Sequence, residues 1–147
     1  MNGYHYRECG LENIWLLNGY ELHNTAYGSG VSFQDPEGLD AAIALSLTEK
    51  PARLSGKEFR FLRIMLDMSQ KGVGEYFGKD AQTVALWEKR DTINEDVDFL
   101  IRHIYRQAAI DKSDSYVDMV NRLNHLDRQE NLQMAFQKTT QGWDKAA

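Results

Sequence analysis

Ser69-Gln70-Lys71-Gly72-Val73-Gly74-Glu75-Tyr76-Phe77-Gly78-Lys79-Asp80-Ala81-Gln82-Thr83-Val84-Ala85-Leu86-Trp87-Glu88 is the stretch on which the reading of this chain turns. Ser69 is a good N-cap, and Gln70 opens a short helix with Val73, Tyr76 and Phe77 on one side. Gly78 stops that helix, because glycine enters the left-handed conformation at little cost. Asp80 caps a second short helix. On it Val84 and Trp87, with Thr83 beside them, face inward at helical spacing. Ala81, Gln82, Ala85, Leu86 and Lys89 are left on the outer face. Gly74 stands where the two helices cross closely. Glycines in the first helix cost about 1 kcal/mol each against alanine, so that helix needs tertiary packing to form.

Two short helices joined by a glycine turn, with the second leaving one face outward, are the pattern of a helix-turn-helix. Such a device sets one helix into the DNA major groove. Upstream, Ser55-Gly56-Lys57-Glu58 is a capping box that opens a longer helix. Phe59, Leu62 and Leu66 make one apolar stripe on it, and Phe61, Ile64 and Met68 make a second. One stripe suffices for the core. The second asks for cover from elsewhere in the chain or from another subunit.

Residues 54 to 106 resemble the XRE family of helix-turn-helix domains, the group of phage Cro-type repressors. The match rests on Arg63, Ser69-Gln70, Val73, the small Gly74, Phe77-Gly78, Val84 and Trp87-Glu88. The resemblance implies that Gln70 touches the DNA backbone and braces the recognition helix. It implies that Ala81 and Gln82 read bases near the start of that helix and that Leu86 faces bases one turn later. It also implies a structural ion pair between Arg63 and Glu88. Gln82 is the best candidate for a specific contact, since its amide can pair bidentately with adenine, for about 1–3 kcal/mol of discrimination. The chain departs from the family at Leu86, where many members carry a long polar residue. It departs again at Lys89-Arg90-Asp91, where many place a glycine. The loop gains two cations for phosphate by the second change.

A chain of 147 residues can bury one good core and a small second unit. Cys9 is the lone cysteine, so no intrachain disulfide is possible, and no apolar run approaches a membrane span. With no signal peptide read, a cytoplasmic protein is expected. Net charge is −5, yet the segment from Lys50 to Asp91 is +3 and the remainder −8. Such segregation suits one face that meets phosphate. Arg60, Lys71, Lys79, Lys89 and Arg90 are its candidate phosphate contacts, with Ala85 on the same outer face. A +3 patch is modest, so a homodimer on a palindromic double-stranded operator is expected.

The expected fold class is α+β, mainly α. A small N-terminal antiparallel β unit is followed by a five-helix XRE-type domain and a C-terminal helix. The expected domains are 1–50 (β unit and linking helix), 51–110 (the DNA-binding domain) and 111–147. Tyr4 to Cys9, Asn13 to Leu17, Tyr20 to Asn24 and Val31 to Phe33 are strand candidates, with hairpin turns at Asn18-Gly19 and Gly28-Ser29-Gly30. Pro36 to Thr48 reads as a helix with Leu39, Ile43 and Leu47 on one side. Asp96 to Ala109 reads as another, and Ser115 to Phe136 as a long one. Its narrow stripe of Tyr116, Met119, Val120, Leu123, Leu126 and Met134 suits either one partner helix or back-packing on Phe61, Ile64 and Met68. Gln137 to Ala147 reads as a mobile tail containing Trp143.

This arrangement is similar to that of MqsA-type antitoxins, which implies a second function: masking a toxin through the β unit while repressing its own operon. Those proteins bind zinc through paired cysteines in that unit. Here only His5, Cys9 and His23 offer themselves. With no fourth ligand they read as ordinary strand residues, and neither a metal nor any other cofactor is expected. Tyr4, Tyr6, Trp15, Tyr20, Tyr27 and Phe33 could line a ligand pocket, but they more simply build the core of a small sheet. No enzyme is expected. His5, His23, His103 and His125 pair with no nucleophile, Cys9 has no activating neighbour, and Asp35 and Glu37 flank Pro36 as helix-capping residues do.

Overall fold

The computed structural model describes residues 3–109 and 133–146, and within them the chain is mixed α and β, with five helices and two small sheets. It divides into two compact units, Met1–Ile43 with Asn131–Ala147, and Ala44–Glu130. The division falls inside a helix, α1 (Pro36–Thr48). Among the described residues no helix is long and apolar enough to cross a membrane.

The first unit holds six strands: β1 (Tyr4–His5), β2 (Ile14–Leu16), β3 (Tyr20–Thr25), β4 (Gly28–Phe33), β5 (Met134–Thr139) and β6 (Gly142–Lys145). One sheet runs in the order β1-β2-β5-β6, and among the described residues β3 pairs only with β4. β2 and β5 are parallel, with Ile14 opposite Met134 and Leu16 opposite Phe136, all four side chains buried. Trp143 on β6 is buried, and its indole N–H donates to the carbonyls of Gln34 and Asp35. Asp35 adopts φ 45° and its carboxylate accepts the Gly38 N–H at 3.1 Å, so it caps α1.

Several expectations are corrected here. The N-terminal strands do not make a single antiparallel sheet, because β2 lies between β1 and a C-terminal strand. The Asn18-Gly19 pair does not close a β2–β3 hairpin. That turn type needs positive φ at both central residues, and only Gly19 has it, at 77°. Gly19 is required for another reason: a side chain there would overlap the Trp143 ring. The next turn falls at Ala26-Tyr27, since Gly28 and Gly30 already belong to β4. The long helix expected over Ser115 to Phe136 cannot reach its end, because Met134–Phe136 is strand. Most of that helix, with its choice between partner and back-packing, lies outside the described residues. The tail is not loose either: Gln137 to Lys145 completes β5 and forms β6.

Among the described residues the second unit holds the end of α1 and four further helices, α2 (Gly56–Met65), α3 (Gln70–Phe77), α4 (Ala81–Trp87) and α5 (Glu95–Ala109). Ser55 and Glu58 form the capping box of α2, each satisfying a backbone N–H of the other. Phe59, Leu62, Val73, Val84, Ile93 and Ile101 are fully or almost fully buried. The rings of Phe59 and Phe77 each meet Trp87 edge-to-face and are tilted against each other, with centroids 5.2 to 6.3 Å apart. Of the second stripe on α2, Phe61 is buried but Ile64 is 48% exposed.

A buried polar strap fixes the segment between α1 and α2. Arg102 on α5 donates to the carbonyls of Lys50 (2.7 Å) and Ala52 (2.6 Å) and to the Asp98 carboxylate. Asp98 in turn accepts the Leu54 N–H at 2.7 Å. Lys50 is paired with Glu58 at 2.7 Å, both buried. Taking these charges out of water is tolerated only because each finds opposite charge and hydrogen bonds.

Candidate nucleic-acid interface

α3 and α4 owe their ends to short-range chemistry. Ser69 accepts the Gly72 N–H at 2.9 Å, and Gly78 closes α3 in the left-handed conformation at φ 65°. Asp80 accepts the Thr83 N–H at 2.8 Å and starts α4. Hydrogen bonding from the Thr83 backbone and side chain holds the Asp80 carboxyl below the usual aspartate range. At Gly74 a Cβ would press on the Lys79 carbonyl oxygen and the Val84 methyl. The turn can therefore lie flat against α3 only because residue 74 has no side chain.

Glu88, the C-cap of α4, is the hub of the site. Arg63 on α2 donates to it twice, Nε at 2.6 Å and Nη2 at 3.2 Å. Gln70 on α3 donates Nε2 at 3.1 Å, and Arg60 lies 3.9 Å away. Arg63 also donates to the Met68 carbonyl, which pins the loop entering α3. One carboxylate thus ties α2 and α3 to the end of α4. Gln70 is half-buried in this role, which fits bracing.

Held this way, α4 turns Val84 and Trp87 inward. Gln82 and Leu86 are exposed, Leu86 at 63%, and Ala81 and Ala85 are half-exposed beside them. Lys71, Lys79, Lys89 and Arg90 are all exposed, and Arg90 also donates to Asn94 at 2.8 Å. The candidate contacts named from the sequence therefore lie on the surface of these two helices, the turn between them and the loop after α4, apart from Arg60, which is exposed on α2, and Gln70, which is partly covered. Setting aside its two shielded ion pairs leaves the net charge of the segment from Lys50 to Asp91 at +3. Lys50 and Arg63 are paired with Glu58 and Glu88, which the same sum already counts, so the exposed cations Lys71, Lys79, Lys89 and Arg90 remain. Sequence reasoning missed the strap residues Asp98 and Arg102. Their only signal was an aspartate and an arginine one helical turn apart.

The residues weighed as metal ligands stand apart. His5 stacks on Trp15 at 4.3 Å, and its ring nitrogens hydrogen-bond with Arg7 and the Glu12 carbonyl. Cys9 points its thiol at the Tyr6 carbonyl, and burial pushes that thiol up to about 11. His23 is on the β3–β4 hairpin beside Ser32. Among the described residues no three His, Cys, Asp or Glu side chains gather as a metal site would require.

No family model, curated protein or solved structure matches the chain.

Proposed function

We propose that α3 and α4 act as a helix-turn-helix and that the protein is a sequence-specific DNA-binding transcriptional regulator, working as a dimer on a palindromic operator. One observation carries this reading: α4 is clamped by Glu88 to Arg63 and Gln70 while its outer edge, Ala81, Gln82, Ala85 and Leu86, faces solvent. A helix that is braced from behind and bare in front can bring fixed side chains to base edges. Gln82 pairs with an adenine, and Leu86 makes apolar contact with a thymine methyl. Lys71, Lys79, Lys89 and Arg90 take phosphates, which position the helix without reading sequence.

The test is the Gln82→Ala variant, assayed on operator and on scrambled DNA. The operator-to-scrambled affinity ratio should fall about 5- to 150-fold, corresponding to the loss of one bidentate base contact. An unaltered ratio would remove Gln82 from the reading surface.

A further inference from the structure

The β3–β4 hairpin is the least covered element among the described residues. From Glu21 to Gly30 every residue is exposed, Leu22 at 70% and Tyr27 at the tip completely. Its base is anchored: Phe33 packs on Tyr4 and Tyr6, and Tyr20 on Tyr4. Beyond that base two strands stand alone, and an isolated two-stranded hairpin is marginal in water.

The register fixes which backbone groups are unused. Pairing runs from Tyr20 opposite Phe33 to Thr25 opposite Gly28, and Gln34 donates its N–H to the Gly19 carbonyl. Pairs that exchange both bonds alternate with pairs that do not. Glu21, His23 and Thr25 therefore direct their backbone groups to β4, while Tyr20, Leu22 and Asn24 point theirs away from it. Among the described residues no other strand pairs with β3. This edge carries no proline, lysine or bulge, the usual guards against edge pairing.

We infer that the β3 edge pairs antiparallel with β3 of a second copy of this chain, about a two-fold axis through Leu22. The occupant is set by self-complementarity. A two-fold at Leu22 places Leu22 against its own copy as a mutually bonded pair, and Tyr20 against Asn24, the two remaining outward residues. The same operation sets Glu21 opposite His23 of the other copy, a carboxylate against an imidazole. The β4 edge offers no such carboxylate–imidazole pair, and its Gly28 and Gly30 weaken strand formation. One short strand pair covers less than the about 1,200 Å² at which stable interfaces begin, so the dimer is concentration-dependent. This inference rests on the hairpin alone, and a monomer that still binds operator leaves the DNA reading standing.

Sedimentation velocity of the DNA-free protein tests it, with Leu22→Pro and Val31→Pro as the variants. Proline at either position removes an N–H that points away from the hairpin partner, so each spares the β3–β4 ladder and blocks one outer edge. The expected result is a concentration-dependent dimer for wild type and Val31→Pro, and a monomer for Leu22→Pro. A wild-type protein that stays monomeric, or a Leu22→Pro variant that still dimerises, overturns the inference. If both proline variants are monomeric, oxidation of Leu22→Cys in a Cys9→Ser background decides. A mutually bonded antiparallel pair has its Cα atoms about 5.5 Å apart, within disulfide reach. A covalent dimer then supports the inference, and its absence, or cross-linking through Val31→Cys instead, overturns it.

Discussion

The Arg63 guanidinium holds the Glu88 carboxylate through two hydrogen bonds, Nε at 2.6 Å and Nη2 at 3.2 Å, and so joins α2 to the C-cap of α4. Both side chains are largely shielded from water, at 12% and 6% exposure. Removing either partner leaves the other charge stranded in a partly dry site. Arg63→Ala and Glu88→Ala should each cost about 2–3 kcal/mol of stability. The double variant should cost clearly less than the sum. Denaturant unfolding of all four proteins measures the coupling, and strict additivity would show that the pair does not clamp the helices.

Gly74 sets the spacing of α3 and the turn. Gly74→Ala drives a methyl toward the Lys79 carbonyl oxygen, which belongs to backbone and cannot swing aside. The expected cost is about 1–3 kcal/mol, despite alanine's better helix propensity. DNA affinity should drop with it, because the turn that carries Asp80 must shift. Stabilisation by this substitution, read in a thermal melt, would contradict the close crossing.

The Asp80 cap gives a pH signature. Its hydrogen bonds from Thr83 lower the folded-state pKa below the unfolded value. The stabilisation is therefore complete above the ordinary aspartate range, and it is lost as pH falls through the lowered folded value. An asparagine in its place would cap without titrating. Wild type should lose stability relative to Asp80→Asn on acidification below about pH 4. Parallel pH dependences in urea unfolding would show that the cap bond is not formed in solution.

Trp143 ties the C-terminal strands to the start of α1 through the carbonyls of Gln34 and Asp35. Trp143→Ala should destabilise the β-rich unit by about 3–5 kcal/mol, the usual range for a buried tryptophan. Loss of chemical-shift dispersion in β2 and β6, with α2 to α5 retained, is the expected spectrum. A variant with unaltered shifts in β2 would place the C-terminal strands outside that unit.

The helical half was legible in the sequence because its instructions are local. Ser55, Ser69, Gly78 and Asp80 act on backbone groups within a few residues, and each does in the structure what its type and place predicted. The two ends of α1 and the start of α5 came from proline placement and apolar period, and fall within one residue of expectation. The β half was misread because its pairing is non-local. Ile14 to Leu16 finds its neighbour at Met134 to Phe136, far along the chain, and no residue in β2 encodes that distance. Trp143, with Thr139 accepting the Gln141 N–H and donating to the Gly142 carbonyl, was the available hint of a C-terminal hairpin. For the candidate interface, the periodicity placed Gln82 and Leu86 outward, whereas nothing local told Lys50 apart from a surface cation.

The central claim is that the outer edge of α4 reads DNA sequence. Affinity capture of genomic fragments by the purified protein, followed by sequencing, tests it most directly. The expected result is enrichment of one inverted repeat with half-sites about 10 base pairs apart, and loss of preference at one position per half-site for Gln82→Ala. Fragments recovered in proportion to their input, with no shared motif, would contradict it.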